Sequence, residues 1–169
     1  MPRNDQYLSG QNALVTGANS GIGEAVAREL AARGANVVVN YVVQPDVAQK
    51  IVDEINAGTG GKAIAIKADV SKEDEVRGMF ADAVEEFGTL DIVCSNAGIQ
   101  RDSDLVDMTM QQWDQVIGVN LTGAFLCARE AAREFTRRGM RDVSSALGKI
   151  IFTSSVHQVI PWAGHANYA

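Results

Sequence analysis

Two rhythms of apolar positions alternate along the chain. Short continuous apolar runs, the pattern of strands buried on both faces, occur at Asn12 to Val15, Asn36 to Tyr41, Lys62 to Lys67, Leu90 to Ser95 and Lys149 to Ser154. Between them apolar residues recur at helical spacing. A first helix is expected over Gly21 to Arg33, with Ile22, Val26 and Leu30 on one face and Gly34 as its stop. Pro45 opens a second, running to Asn56 with Val47, Ile51 and Ile55 inward. Gly58 to Gly61 reads as a turn. Ser71-Lys72-Glu73-Asp74 has the form of a capping box for a third helix. That helix runs to Phe87 with Val76, Phe80, Val84 and Phe87 inward, and Gly88 ends it. A short helical piece near Leu105 and a long helix from Met110 to Arg138 precede the fifth strand. Residues 1–10 read as a loose lead-in and Ser155 to Ala169 as an irregular tail.

The order βαβαβαβαβ implies an α/β fold, a Rossmann-type doubly wound parallel sheet with helices on both faces. With 169 residues and no visible linker or repeat, residues 1–169 are expected to form a single domain. Hydrophobic residues make up 46% and charged residues 21%, as in an ordinary soluble domain. The net charge of −6 argues against a nucleic-acid surface, which needs clustered Lys and Arg. No apolar run approaches a membrane span and the N-terminus lacks a signal-peptide core, so a cytoplasmic address without a membrane partner is expected. Cys94 and Cys127 lie far apart in apolar surroundings and read as small buried hydrophobes.

The chemistry starts at Thr16-Gly17-Ala18-Asn19-Ser20-Gly21-Ile22-Gly23, directly after the first strand and opening the first helix. Glycines there let backbone approach a bulky anion, and the helix start offers free N–H groups, so Gly17, Asn19, Ser20, Gly21, Ile22 and Gly23 are candidates to hold a pyrophosphate. At the end of the second strand, Asn40 and Tyr41 stand where a dinucleotide ribose is read. Neither is charged, so neither the carboxylate that favours NAD nor the cation that favours NADP is present; the balance leans to NAD with tolerance of NADP. Asp69, followed by Val70, either accepts from an adenine amino group or caps a helix. Asn96-Ala97-Gly98 is either a plain turn or the small-residue wall of a cofactor cleft.

In the tail, Ser155 ends the fifth strand and Tyr168 follows thirteen residues later. The carboxyl ends of parallel strands hold ligands, so Ser155 is placed to hold a substrate oxygen and Tyr168 to move a proton. His157 and His165 lack the Cys or carboxylate company of a metal site and read as loop residues near a substrate mouth; no metal is expected. Trp113 and Trp162 read as packing residues. Asn120 sits inside an apolar helical stretch and is either a satisfied buried amide or a group that bends the helix or holds a water beside Tyr168.

Together the glycine stretch, Asp69-Val70, Asn96-Ala97-Gly98, Asn120, Ser155 and Tyr168 resemble the short-chain dehydrogenase/reductase family over the whole chain. Asp114 to Leu126 and Ser154 to Trp162 resemble its glucose 1-dehydrogenase branch. The resemblance implies NAD(P)-dependent hydride transfer on a sugar-like alcohol, with Tyr168 as general base, Ser155 polarising the substrate oxygen and Asn120 anchoring a water. A 3-ketoacyl or other carbonyl reductase is the alternative within the family, and an inactive nucleotide-binding fragment the alternative outside it. The family continues Y-x-x-x-K, whereas this sequence reaches only Ala169; the lysine is absent, and the chain reads as the N-terminal portion of a longer enzyme or a truncated product. The family also implies a homotetramer at full length.

Overall fold

The computed structural model describes residues 6–58 and 60–169. Part of the expected lead-in, residues 1–5, and Thr59 of the expected 58–61 turn lie outside the described residues. Five strands, β1 (Asn12–Val15), β2 (Asn36–Tyr41), β3 (Ala63–Lys67), β4 (Ile92–Ser95) and β5 (Lys149–Phe152), form one sheet in the order β3-β2-β1-β4-β5, every pair parallel. The helices are α1 (Gly21–Ala32), α2 (Pro45–Asn56), α3 (Glu73–Phe87), α4 (Met110–Val116) and α5 (Gly123–Arg138).

The two-residue period of the strands sorts their side chains onto two cores. Ala13 and Val15, Val37 and Val39, and Ile92 and Cys94 join one cluster with Ala27 and Ala31 of α1 and Ala48, Ile51, Val52 and Ile55 of α2. Leu14, Val38 and Val93 join the other with Val76, Met79, Phe80 and Ala83 of α3 and Leu126, Cys127, Ala131 and Phe135 of α5. The strands are uniformly apolar because each face meets a helix layer. The order reverses between β1 and β4, with β1 leading outward to β2 and β3 on one side and β4 to β5 on the other. Ligands of open α/β sheets bind in the crevice that such a reversal leaves.

The helix faces differ from the sequence expectation. In α1 the fully buried positions are Gly23, Ala27 and Ala31, one residue on from Ile22, Val26 and Leu30, and Ile22 is 66% exposed. Small side chains let α1 lie close to the sheet, a factor that apolar periodicity does not register. In α2, Val47 is exposed while Ala48 and Val52 join Ile51 and Ile55. In α3, Met79 and Ala83 complete the buried face, and Val84 and Phe87 are half-buried. Ser71 does not cap α3: the N-cap is Lys72, without a side-chain cap, and the Ser71 hydroxyl donates to Asp69 Oδ1 at 2.7 Å. Near Leu105 the chain makes a turn, closed by Asp107 N–H donating to the Asp104 carbonyl, and no helix. The long helix is divided: α4 passes through a π-helical segment, Ile117–Thr122, before α5 begins. β5 is the outermost described strand beside β4: Ile150 packs against the α3–α5 cluster, while Ile151 and Phe152 are about half exposed.

At the amino ends of the strands a buried charge cluster ties the structure together. Asp91 is 1% exposed. Its Oδ2 accepts from the Asn12 backbone N–H at 2.9 Å and from the Arg141 guanidinium. Arg138 Nη2 lies 3.0 Å from Oδ1, an ion contact without hydrogen-bond alignment. Arg138 also donates to the Leu90 and Leu147 carbonyls, fastening the 139–148 connection under the sheet. Removing the carboxylate leaves a buried guanidinium unpaired, so Asp91→Ala is expected to cost about 3–5 kcal/mol in urea unfolding, and Asp91→Asn, which keeps an acceptor, clearly less.

Both cysteines are buried, as expected. Burial pushes the Cys127 thiol up from 9.0 to about 12, with the Glu130 carboxylate adding to the shift. The folded state therefore keeps a proton that the unfolded chain loses first. The resulting stability is fully present below pH 9 and is lost as pH rises from about 9 to about 12. The stability difference between wild type and Cys127→Ala, followed by denaturant unfolding across that range, should narrow as pH rises.

Candidate functional site

At the carboxyl ends of β1, β2, β3 and β4 lies an open cavity of about 1190 Å³. It is lined from three sides by the glycine stretch (Gly17, Asn19, Ser20, Gly21, Ile22), by Asp69 to Lys72 after β3, and by Asn96 to Ile99 after β4. Its volume exceeds the roughly 300–1,000 Å³ of small-molecule clefts, leaving room for an extended ligand.

The turn that opens it is built around glycine. Gly17 and Gly21 take positive φ, +60° and +55°, which side chains with a Cβ rarely adopt. A Cβ on Gly23 would lie 2.3 Å from the Gly17 carbonyl oxygen and 2.5 Å from Asn96 Nδ2, so the first turn of α1 folds directly against the loop. Ser20 is the N-cap of α1 but makes no side-chain cap bond. The first N–H groups of α1 are therefore left without a side-chain cap, and Glu24, the acidic residue of its first turn, is paired with Arg28; the uncapped start is a geometry suited to phosphate.

Thr16, which the sequence reading quoted without a role, holds the two central loops together. Its hydroxyl accepts from the backbone N–H groups of Asn96 (2.9 Å) and Ala97 (3.0 Å), while Asn96 Nδ2 donates back to the Thr16 carbonyl at 3.0 Å. Thr153, after β5, donates to Asn96 Oδ1 at 3.3 Å. Asn96-Ala97-Gly98 is thus more than a plain turn: it is a wall bonded to the glycine stretch across the switch point. A threonine closing a strand is the one sequence signal that could have pointed to this pin.

Asn40 stands in the right place with a different task. It is 1% exposed, its Oδ1 accepts from Gly17 N–H at 3.1 Å, and its Nδ2 donates to the Ala68 carbonyl at 3.0 Å and the Ile66 carbonyl at 3.3 Å. The amide is spent supporting the turn from beneath. Tyr41 is not among the cavity-lining residues; it packs against the α1–α2 core cluster, since it shares the strand face of Val37 and Val39. Besides Asn40, which also lines the cavity, the surface at that end is formed by Asn19, Val42 and Val43, and Asn19 Nδ2 donates to the Val43 carbonyl at 2.9 Å. Neither carboxylate nor cation stands among these three.

Asp69 lines the cavity, with Oδ1 accepting from Ser71 N–H at 2.9 Å as well as from its hydroxyl. Its N–H donates to Glu75 at 2.8 Å. Asp69 therefore orders the β3–α3 loop without capping the helix. Val70 is buried under Gly123, the first residue of α5. Asn120 both accepts from Ile99 N–H (2.9 Å) and donates to the Ile99 carbonyl (3.0 Å). Its amide sits in the π-helical segment, where the widened turn brings the side chain to the 96–101 loop. One amide hydrogen and the carbonyl oxygen are thus paired with that one backbone unit, and the residue lies where the helix widens.

Ser155 and Tyr168 do not line the cavity. Ser155 Oγ accepts from His157 N–H at 3.3 Å, and the His157 ring lies 6.1 Å from that of Tyr168. His157, Trp162, His165 and Tyr168 form one aromatic group, in which Trp162 stacks on His165 at 5.1 Å. Trp162 is 63% exposed and is a stacking partner, not the core packing residue expected. The sequence reading also missed Arg101, Gln111, Asp114 and Gln115, which line the cavity from the segment before and within α4. Polar residues spread over a loop and one helix face show no spacing that marks them.

A parallel sheet of this order, with a glycine-rich β1–α1 turn at its switch point, defines the Rossmann-type class. Within that class the chain belongs to the short chain dehydrogenase family, whose model matches residues 11–169. It is 42% identical over 158 residues to the 3-oxoacyl-[acyl-carrier-protein] reductase FabG of Staphylococcus aureus, covering 94% of this chain and 61% of that protein. It is 51% identical over 148 residues to versicolorin reductase 1 of Dothistroma septosporum, covering 88% and 52%. Crystal structures of a short chain dehydrogenase from Mycobacterium avium and a short-chain type dehydrogenase/reductase from Mycobacterium marinum superpose with TM-scores of 0.86 at 38% and 39% identity, covering 96% and 97% of this chain and 58% and 63% of theirs. The chain spans a little over half to under two thirds of the length of these relatives. Among the described residues, no helix is long and apolar enough to cross a membrane.

The cradle has one sharp test. Gly23→Ala drives a Cβ into Gly17 carbonyl and Asn96 amide, which cannot both yield. Titration of NADH and NADPH fluorescence should show binding weakened at least about tenfold, and unfolding should show about 1–3 kcal/mol lost.

Proposed function

We propose that the chain is the cofactor-binding part of an NAD(P)-dependent oxidoreductase that interconverts a carbonyl and an alcohol. One observation carries this reading: the uncapped start of α1 and its glycine turn face a large cleft at the sheet's switch point, where any side chain at Gly23 would fill the cradle. The described residues fit a dinucleotide. Gly17, Asn19, Ser20, Gly21, Ile22 and Gly23 would hold the pyrophosphate, Asp69 and Val70 the adenine, and Asn96, Ala97 and Gly98 the nicotinamide end. When bound, the cofactor supplies or accepts the hydride. Ser155 holds the substrate oxygen and Tyr168 carries the proton at its phenol oxygen. Asn120 acts by holding Ile99 and with it the cleft wall, and its second amide hydrogen is left to hold a water in the proton relay.

The lean to NAD, drawn from the absence of charge at Asn40 and Tyr41, is not kept: Asn40 spends its amide under the turn although it lines the cavity, and Tyr41 faces the core. With Asn19, Val42 and Val43 at that end, we propose that either dinucleotide binds, with no carboxylate among these three to repel a 2′-phosphate. For the substrate, reduction of a ketone is favoured over oxidation of glucose or another aldose. Two relatives are named as reductases, one of 3-oxoacyl chains and one of versicolorin, and none of those given above is named for a sugar. A small-molecule substrate and a homotetramer are proposed for the full-length protein; exposed Leu121 and Phe125 offer apolar surface for such contacts.

The test compares the 169-residue chain with a version extended through the Y-x-x-x-K lysine. NADPH and NADH oxidation are followed with 3-oxoacyl thioesters and polycyclic ketones, and NAD(P)⁺ reduction with aldoses and polyols. The extended protein should reduce 3-oxo substrates, and Tyr168→Phe should lower kcat about 10²–10⁴-fold while cofactor affinity stays within about twofold. Absence of turnover by the extended protein on both panels would overturn the enzymatic reading. Equal activity in the two lengths would remove the inactive-fragment alternative.

A further inference from the structure

Asn167 stands one residue before Tyr168 and is 5% exposed. Its Nδ2 donates to the Arg101 carbonyl at 3.0 Å and to the Gln112 carbonyl at 3.3 Å. Its Oδ1 is buried without a hydrogen-bond partner among the described residues. The hold on this side chain therefore comes entirely from its amide donors. A buried amide that leaves its carbonyl unsatisfied costs stability, and a side chain kept at such a cost invites a reason beyond packing.

One of the two carbonyls it joins belongs to a residue lining the cleft, Arg101, and the other to Gln112, next to the lining residue Gln111. Arg101 lines the cavity and lies two residues beyond Ile99, which Asn120 holds by a reciprocal pair of bonds. Gln112 is fixed at the start of α4 by a capping box with Thr109, each residue bonding the other's backbone. Two further contacts run in parallel: Ser103 N–H donates to the Gly164 carbonyl at 3.0 Å, and His165 Nε2 lies 3.4 Å from Asp102 Oδ1. Asp102 is 56% exposed, so that ion pair is weak. The buried amide is the part of the clasp that water cannot replace.

We propose that Asn167 is a positioning residue for Tyr168. Asn120 grips the 99–101 segment from the α4–α5 side and Asn167 from the tail side. The cleft wall and the segment bearing the phenol are thereby held in one register. The inference rests on the proposed role of Tyr168 in proton transfer. It adds that the tail is placed by a side-chain amide bridge, because no strand pairing reaches it.

Asn167→Leu keeps the branched skeleton, at somewhat larger volume, and removes both donor bonds; Asn167→Asp keeps the shape and turns an acceptor toward two carbonyls. Val106→Ser, at a turn residue 91% exposed, serves as control. In the extended protein both Asn167 variants should bind NAD(P)H within about twofold of wild type and lower kcat at least tenfold, with KM changed less than threefold. Amide exchange at Ser103 and Tyr168 should accelerate at least tenfold, with global unfolding and Val106→Ser unchanged. Unchanged exchange at Tyr168, or faster exchange with unchanged kcat, would overturn the proposal, as would an Asn167→Leu variant indistinguishable from wild type. Wild-type protein that binds cofactor but turns over nothing defeats the functional reading instead, and exchange at Tyr168 then decides the amide bridge alone.

Discussion

The hydroxyl of Thr16 is the point on which the cleft depends. Adjacent parallel strands part company where the sheet order reverses, and their following loops must turn to opposite faces. At that point the backbone ladder ends and the N–H groups of Asn96 and Ala97 need new acceptors. One oxygen serves both. Asn96 returns a donor to Thr16, and the glycine turn can then close on Asn96 because Gly23 carries no side chain. The crevice that a doubly wound sheet leaves at this place is thus given rigid walls.

Asparagine recurs for the same reason. Asn19, Asn40, Asn96, Asn120 and Asn167 each bond backbone through the side chain, most of it in loops. A carboxylate would offer only acceptors and a lysine only donors; an amide offers both without adding charge. These bonds are neutral and short-range. They stiffen the loops, and the uncapped α1 terminus adds its dipole to a cavity also lined by Lys72 and Arg101.

The opposite end of the sheet is built on different terms. There Asp91, Arg138 and Arg141 form a buried ionic knot that ties β4, the end of α5 and the 139–148 connection together. Charges that would compete with a ligand at the carboxyl ends are harmless at the amino ends. The fold separates its ionic fastening from its binding surface by the length of a strand.

Much of this was legible in the sequence. Apolar runs of four to six residues alternating with helical periods are compatible with few architectures, and all five strands fall where those runs stand. The glycines could be read because positive φ and close backbone approach restrict the residue type. Asn40 and Tyr41 show the limit: position at the end of β2 was readable, but which side chain turns under the loop and which toward the core follows from the pleat and from the partners each meets. The π-helical widening at Asn120, the Thr16 pin and the amide bridge from Asn167 to Arg101 and Gln112 join residues 21, 80 and 66 or 55 positions apart. Local pattern determined the strands, the first three helices and the glycine turn, since those depend on neighbours in the chain. Only the tertiary structure decided how the polar side chains are shared out, because a hydrogen bond between distant loops is chosen by which groups are left unpaired once the sheet has formed.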